Sequence, residues 1–121
     1  MNRLVSKYAA ALCTTLMMLF PLSALAHHGW SEYDQTKPLT ETGTIKEYGY
    51  DHPHGFVKLD LAGKTRLVIL APPSRMESRG LPKDALKPGN KVTVVGYQNR
   101  EKAEEMRAER ITFGDKTVEL R

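Results

Sequence analysis

From residue 39 onward the chain is a run of short, apolar-patterned segments cut at close intervals by Gly, Pro and Asn, and it contains no cysteine to tie them together. That cadence is the strongest constraint on the fold: strands joined by tight turns, held by packing alone. Residues 40–48 are rich in β-branched side chains. Residues 51–55, Asp-His-Pro-His-Gly, make a turn, because Pro53 fixes its own φ and Gly55 closes a bend cheaply. Residues 56–61 alternate, with Val57, Leu59 and Leu61 on one face and Phe56, Lys58 and Asp60 on the other. Ala62-Gly63-Lys64 is a hairpin connection into residues 65–70. Residues 71–80 form the one convincing helix, with prolines at its start and Gly80 at its end. A short helical turn follows over 81–86, then a turn at Lys87-Pro88-Gly89-Asn90. Strands over 91–97, 106–113 and 116–120 complete the chain, with a charged hairpin tip at 99–104. Three strands, a helix, then two or three strands predicts a mainly β fold. It is a small OB-like antiparallel barrel of five to six strands with one short helix between strands 3 and 4. An open antiparallel sheet carrying one helix is the other arrangement this order allows.

The first 26 residues read as a cleavable export signal. Arg3 and Lys7 give a positive start, residues 8–20 an apolar centre too short for a membrane span, and Ala24-Leu25-Ala26 a small-x-small cleavage pattern. The expected organisation is therefore a signal at 1–26, an extended N-terminal arm at 27–38 and the barrel at 39–121. The expected location is the periplasm, with no stable membrane anchor after cleavage. The leader carries Cys13, the single cysteine, so the mature chain lacks thiol nucleophiles, thiolate metal sites and redox pairs. It also carries two of the eighteen basic residues, so the formal charge of +4 falls to +2. A nucleic-acid partner, suggested by the basic whole chain, loses most of its support.

All four histidines fall in two pairs, His27-His28 and His52/His54. Cleavage after Ala26 makes His27 the amino terminus, where its free amine and ring Nδ1 chelate one metal ion. The ordinary pKa of that amine, about 7.7–8.0, lets a metal displace its proton near neutrality. An imidazole from His52 or His54 completes a three-nitrogen site of the kind Cu(II) favours, with Ni(II) and Zn(II) behind it. Glu32, Asp34 and Asp51 are available to orient the rings. The plainer reading of the same residues is a solvated end and a polar loop. Met76 and Met106 are expected as core filler rather than thioether ligands, and Trp30 as a pin for the arm. Arg75, Arg79, Lys83 and Lys87, interleaved with Glu77 and Asp84, read as a solvated helix face. No Gly-x-Ser-x-Gly, phosphate loop or His-Glu-x-x-His is present.

His27-His28-Gly29-Trp30, Thr42-Gly43-Thr44-Ile45, Pro53-His54, Leu86-Lys87-Pro88-Gly89 and Ala108-Glu109-Arg110-Ile111-Thr112, taken together, resemble the pattern of a family of small exported bacterial proteins of unknown function. Members of that family begin their mature chain His-His-Ser-Phe and carry a Thr-Gly-Thr-Val strand leading to Asn-Pro-His. This chain departs at Gly29-Trp30, which keeps an aromatic, and at His52, where Asn is usual. The resemblance implies export and fold, and it directs attention to His27, His28 and His54. Three functions follow as expectations. The first is a periplasmic carrier or buffer of metal, copper first, using His27, His28, His52 and His54. The second is an OB-like structural or protein-interaction module without metal, its partner a periplasmic protein. The third is a small copper-dependent oxidase.

Overall fold

The computed structural model describes residues 29–121; His27 and His28 lie outside them. Six strands appear in the expected order: β1 (Leu39–Gly49), β2 (Phe56–Leu61), β3 (Lys64–Ile69), β4 (Lys91–Gln98), β5 (Glu105–Phe113) and β6 (Lys116–Glu119). Helix α1 (Pro73–Ser78) and a 3-10 turn (Lys83–Leu86) join β3 to β4. No helix among the described residues is long and apolar enough to cross a membrane.

The strands hydrogen-bond in the order β3-β2-β1-β4-β5-β6, and β3 also pairs with β5. That second pairing closes five strands into a barrel and leaves β6 as an extension of β5. Every ladder is antiparallel except the closing one, where Leu67, Val68 and Ile69 run parallel to Glu105, Met106 and Arg107. The parallel seam refines the antiparallel expectation, and it is what closes an OB-type barrel: the first three strands form a meander, β4 returns from the helix to pair with β1, and β5 then meets β3.

Period-two patterning drives the closure. In β2, Val57, Leu59 and Leu61 face inward and their neighbours outward. Ile45, Val68, Leu70, Val92, Val94 and Ile111 join them in one core. The β2–β3 hairpin turns through Ala62-Gly63, with Leu61 opposite Lys64 and Gly63 at φ +83°. Register shifts mark two bulges, at Lys46 in β1 and at Glu109 in β5 opposite Val95 and Gly96, that bend those strands around the barrel.

Helix α1 begins at Pro73, whose missing amide costs nothing in a first turn, and ends before Gly80 at φ +88°. It buries Met76 completely in the core, a gain of about 1.5–3 kcal/mol for a side chain of that size. Met106 is equally buried, so both methionines fill space. The helix arginines are not simply solvated. Arg75 Nη1 donates to the Leu120 carbonyl, and Arg79 Nη1 to those of Glu119 and Arg121. They occupy carbonyls along the end of the chain that would otherwise be open to pairing with another strand.

Candidate functional site

The loops β1–β2 and β4–β5 emerge at one end of the barrel, the end at which barrels of this type take extended ligands. Between them lies a cleft of about 630 Å³ lined by Ser31, Glu32 and Tyr33 on one side, the 99–102 loop and Glu105 on another, and His54 beside Ile69. Each wall has a local cause. His54 precedes β2, where Gly55 is fixed to the chain after β3 by Gly55 N donating to Ala71 O and Leu70 N to Gly55 O. Residues 30–32 form one turn of 3-10 helix, and Tyr33 then bridges to Asn99 as a one-residue strand. Asp34 N donates to Gln98 O and Arg100 N to Glu32 O, both at 2.9 Å. The segment before the barrel is therefore bound edge-on to the start of the β4–β5 loop.

Beneath this bridge sits a polar cluster. Tyr33 Oη donates to Glu105 Oε2 at 3.0 Å, and Asn99 Nδ2 donates to the same oxygen at 2.8 Å. Asn99 Oδ1 accepts from the amides of Glu101 and Lys102, which shapes the loop. Tyr33 is only 4% exposed; burial, and then the Glu105 carboxylate beside it, push its hydroxyl up to about 12. Tyr33 therefore keeps its proton and remains a donor at neutral pH.

Trp30 is held differently. Two guanidinium groups lie over its indole, Arg107 Cζ and Arg121 Cζ, each 4.4 Å from the ring centroid. Tyr97 meets it edge-on at 6.1 Å. Burial, together with the Arg75 and Arg121 charges, holds the Arg107 guanidinium below its ordinary value against a smaller opposing pull from Tyr33. The expected pinning role of Trp30 therefore rests on cation–π contact as well as on covered apolar surface.

The structure separates the two turn histidines. His54 is half-buried and lines the cleft, whereas His52 is exposed and absent from its lining. Glu32 shares the cleft with His54. Asp34 faces a second, smaller cleft and is committed locally: its Oδ1 accepts from Thr36 N and Oγ1, which lowers its pKa. Asp51 is exposed. Among the described residues no three His, Cys, Asp or Glu side chains stand close enough to hold a metal ion. Sequence reasoning passed over Tyr33, Asn99 and Glu105 as a unit, since nothing in spacing links positions so far apart.

Comparison with solved structures agrees with the barrel. A chain of the S. pombe Stn1–Ten1 complex matches at TM-score 0.52 and 20% identity, over 65% of this chain and 59% of that one. A chain from a complex of TiaS with a transfer RNA and ATP matches at TM-score 0.48 and 17% identity, over 74% of this chain and 20% of that one. At 20% identity the likeness to the Stn1–Ten1 chain concerns fold alone. No curated protein matches the sequence. The matched region of the sequence, residues 16–107, spans most of the chain and places it in a defined family: the protein belongs to DUF6152, a family of unknown function.

Proposed function

We propose that this is an exported, periplasmic Cu(II)-binding protein acting as a carrier or buffer and not as an enzyme. The observation that carries the reading is that His54 lines the same cleft as Ser31 and Glu32. Four peptide units separate His27 from Ser31, at most about 14 Å of chain, so a terminal His27 is tethered within reach of the cleft. The proposed donors are the His27 amine and Nδ1 and the His54 ring, with His28 as a further imidazole. Glu32 is placed to accept from a ligand ring. His52 lies on the exposed side of its turn, which makes it the weakest of the four candidates. The described residues supply no three-donor group of their own, so the site depends on the free terminus.

Copper titration of signal-cleaved protein, against a form with one extra residue before His27, tests this directly. The extra residue removes the amine–Nδ1 chelate and is expected to weaken binding by several orders of magnitude; equal affinity in the two forms would sink the proposal. A second reading, an OB-like interaction module without metal, is supported by the position of the cleft between the two ligand-taking loops of the barrel. It expects His54→Ala to leave copper retention unchanged while a periplasmic protein is captured specifically. Turnover of oxygen or peroxide by the copper-loaded protein would favour the oxidase over both.

A further inference from the structure

We infer that the cleft, together with the outer face of β2 and β3 beside it, binds a neutral oligosaccharide. This site needs no metal and no residue before Ser31, so it stands whether or not the protein takes up copper. Barrels of this type hold oligonucleotides or oligosaccharides on the outer face of strands 2 and 3, between the β1–β2 and β4–β5 loops. What the walls offer decides which chemistry fits here.

The floor is apolar. Ile69 lines the cleft, and Phe56 lies directly opposite it in the β2–β3 ladder. Both alternate with the buried Val57 and Val68, so both stand on the outer face, where they are half-buried. The Phe56 ring packs over Gly49 on β1, where an added Cβ would collide with it. A ring pinned in this way loses little freedom on binding and presents a rigid apolar surface to the C–H face of a sugar. Leu67, also half-buried, continues the same face.

The polar groups around that floor are fixed and only partly used. Tyr33 Oη and Asn99 Nδ2 both donate to Glu105 Oε2, which leaves Oε1 to accept from a ligand hydroxyl. Arg100 donates its amide to Glu32 O and its Nε to Ser31 O, which leaves its terminal amines as donors. Neighbouring hydroxyls on a sugar ring match that combination, because each donates one bond and accepts others. The loop is also preorganised: Asn99 N donates to Glu105 O, Glu105 N to Lys102 O, and Asn99 Oδ1 accepts from two amides. Little ordering remains to oppose a weakly held ligand.

Charge and strand pairing argue against the other extended ligands. The lining carries the carboxylates Glu32, Glu101 and Glu105 against the cations Arg100 and Lys102. Single-stranded nucleic acid draws its affinity from cations along its phosphates, and this wall has no excess of them. An added peptide strand needs an open sheet edge, but Leu67 to Ile69 are already paired with Glu105 to Arg107, and Tyr33 with Asn99. A neutral chain of sugars needs neither.

The test screens signal-cleaved protein against immobilised neutral oligosaccharides of gluco, manno and galacto configuration, their uronic-acid counterparts, and single-stranded oligothymidine. EDTA is present throughout, which keeps copper out and separates the outcome from that of the copper titration. The neutral sugar held best is then titrated by calorimetry and by nuclear magnetic resonance. Its addition should shift the Ile69 methyl and Asn99 side-chain signals. Phe56→Ala is expected to weaken it about tenfold, the scale of one lost ring contact, while Phe56→Tyr keeps the ring and should stay within about twofold of wild type. Arg100→Gln, on the exposed loop, should weaken it roughly fivefold through the lost donors, and it serves as the test if Phe56→Ala does not fold by circular dichroism. Retention of no neutral sugar would overturn the inference, as would preference for the uronic acids or oligothymidine. So would neutral-sugar binding that leaves the Ile69 signals in place and is unchanged in Arg100→Gln.

Discussion

Arg66 offers the sharpest test of how this small barrel is held. It lies on the inward face of β3, in line with Val68, and is only 6% exposed. Nη2 donates to Glu41 Oε1 at 2.9 Å and Nη1 to the Ala103 carbonyl at 2.7 Å, while Nε finds no acceptor among the described residues. The guanidinium thus spans from β1 to the β4–β5 loop, beside the stretch where β3 has not yet met β5. Breaking a buried ion pair leaves an uncompensated charge and costs more than the pair contributed; replacing both partners by apolar groups is close to neutral. Glu41→Leu should therefore cost about 3 kcal/mol, below the upper range for fully buried pairs because the Glu41 side chain is 20% exposed and admits water. Arg66→Met leaves a carboxylate that water can reach and one unpaired carbonyl, a loss of about 2 kcal/mol. The double variant should lie within about 1 kcal/mol of wild type, giving a coupling of roughly 4 kcal/mol. Urea unfolding followed by circular dichroism measures all four corners, and each kcal/mol corresponds to roughly 4–8 °C in Tm for a domain of this size. Additive losses in the double variant would refute the reasoning, because they would mean that each side chain acts through packing and not through the other's charge.

Two further outcomes follow from local geometry. At Gly96, which faces the β5 bulge, an added Cβ would run into the Arg107 carbonyl and approach Ala108 Cα to 2.8 Å; Gly96→Ala should cost about 3 kcal/mol or more. Gly63→Ala, at φ +83° with open space around it, should cost about 1 kcal/mol, and equal urea midpoints for the two variants would contradict the bulge assignment. The second concerns Tyr33, raised from 10.0 to about 12 in the folded state. The native state then binds more protons than the unfolded state between those values, so stability is intact below about pH 10 and falls as pH rises toward 12. Tyr33→Phe should remove about 2 kcal/mol of that alkaline loss and should cost about 1 kcal/mol at neutral pH through the bond to Glu105. Wild type and Tyr33→Phe losing stability in parallel above pH 10 would show that Tyr33 is not the titrating group.

Much of the barrel was legible because burial on one face of a strand imposes a period of two. Residues 56–61 carry that alternation without a break, and the strand occupies those residues. The helix and turns were legible for a related reason, since Gly80, Gly89 and Gly114 each sit at a positive φ that disfavours most other residues, and Pro73 opens the helix where its missing amide costs nothing. The parallel seam was not, because it depends on Leu67 meeting Glu105, and no local pattern specifies a partner that remote. The basic helix face was read in part: Arg79, Lys83 and Lys87 are exposed as expected, but the carbonyl contacts of its arginines were not foreseen, for the same reason. Arg75 and Arg79 look solvated in their own segment, and only the return of the chain at Leu120 gives them carbonyls to hold.

The histidines show both sides of this limit. One intervening proline makes His52 and His54 look equivalent, yet a turn side chain is buried or exposed according to what lies across from it. His54 shares its cleft with Tyr33, Asn99 and the β4–β5 loop, and His52 lines no part of it. The walls of that cleft come from three regions, joined by the Tyr33–Asn99 bridge and steadied by Trp30 reaching Arg121. Residue type alone therefore singled out the histidines, but which of this pair lines the cleft is decided by contacts formed only once the barrel has closed. The same logic makes the cleft a product of closure: Ile69 and Glu105 come to line it together only where β3 meets β5.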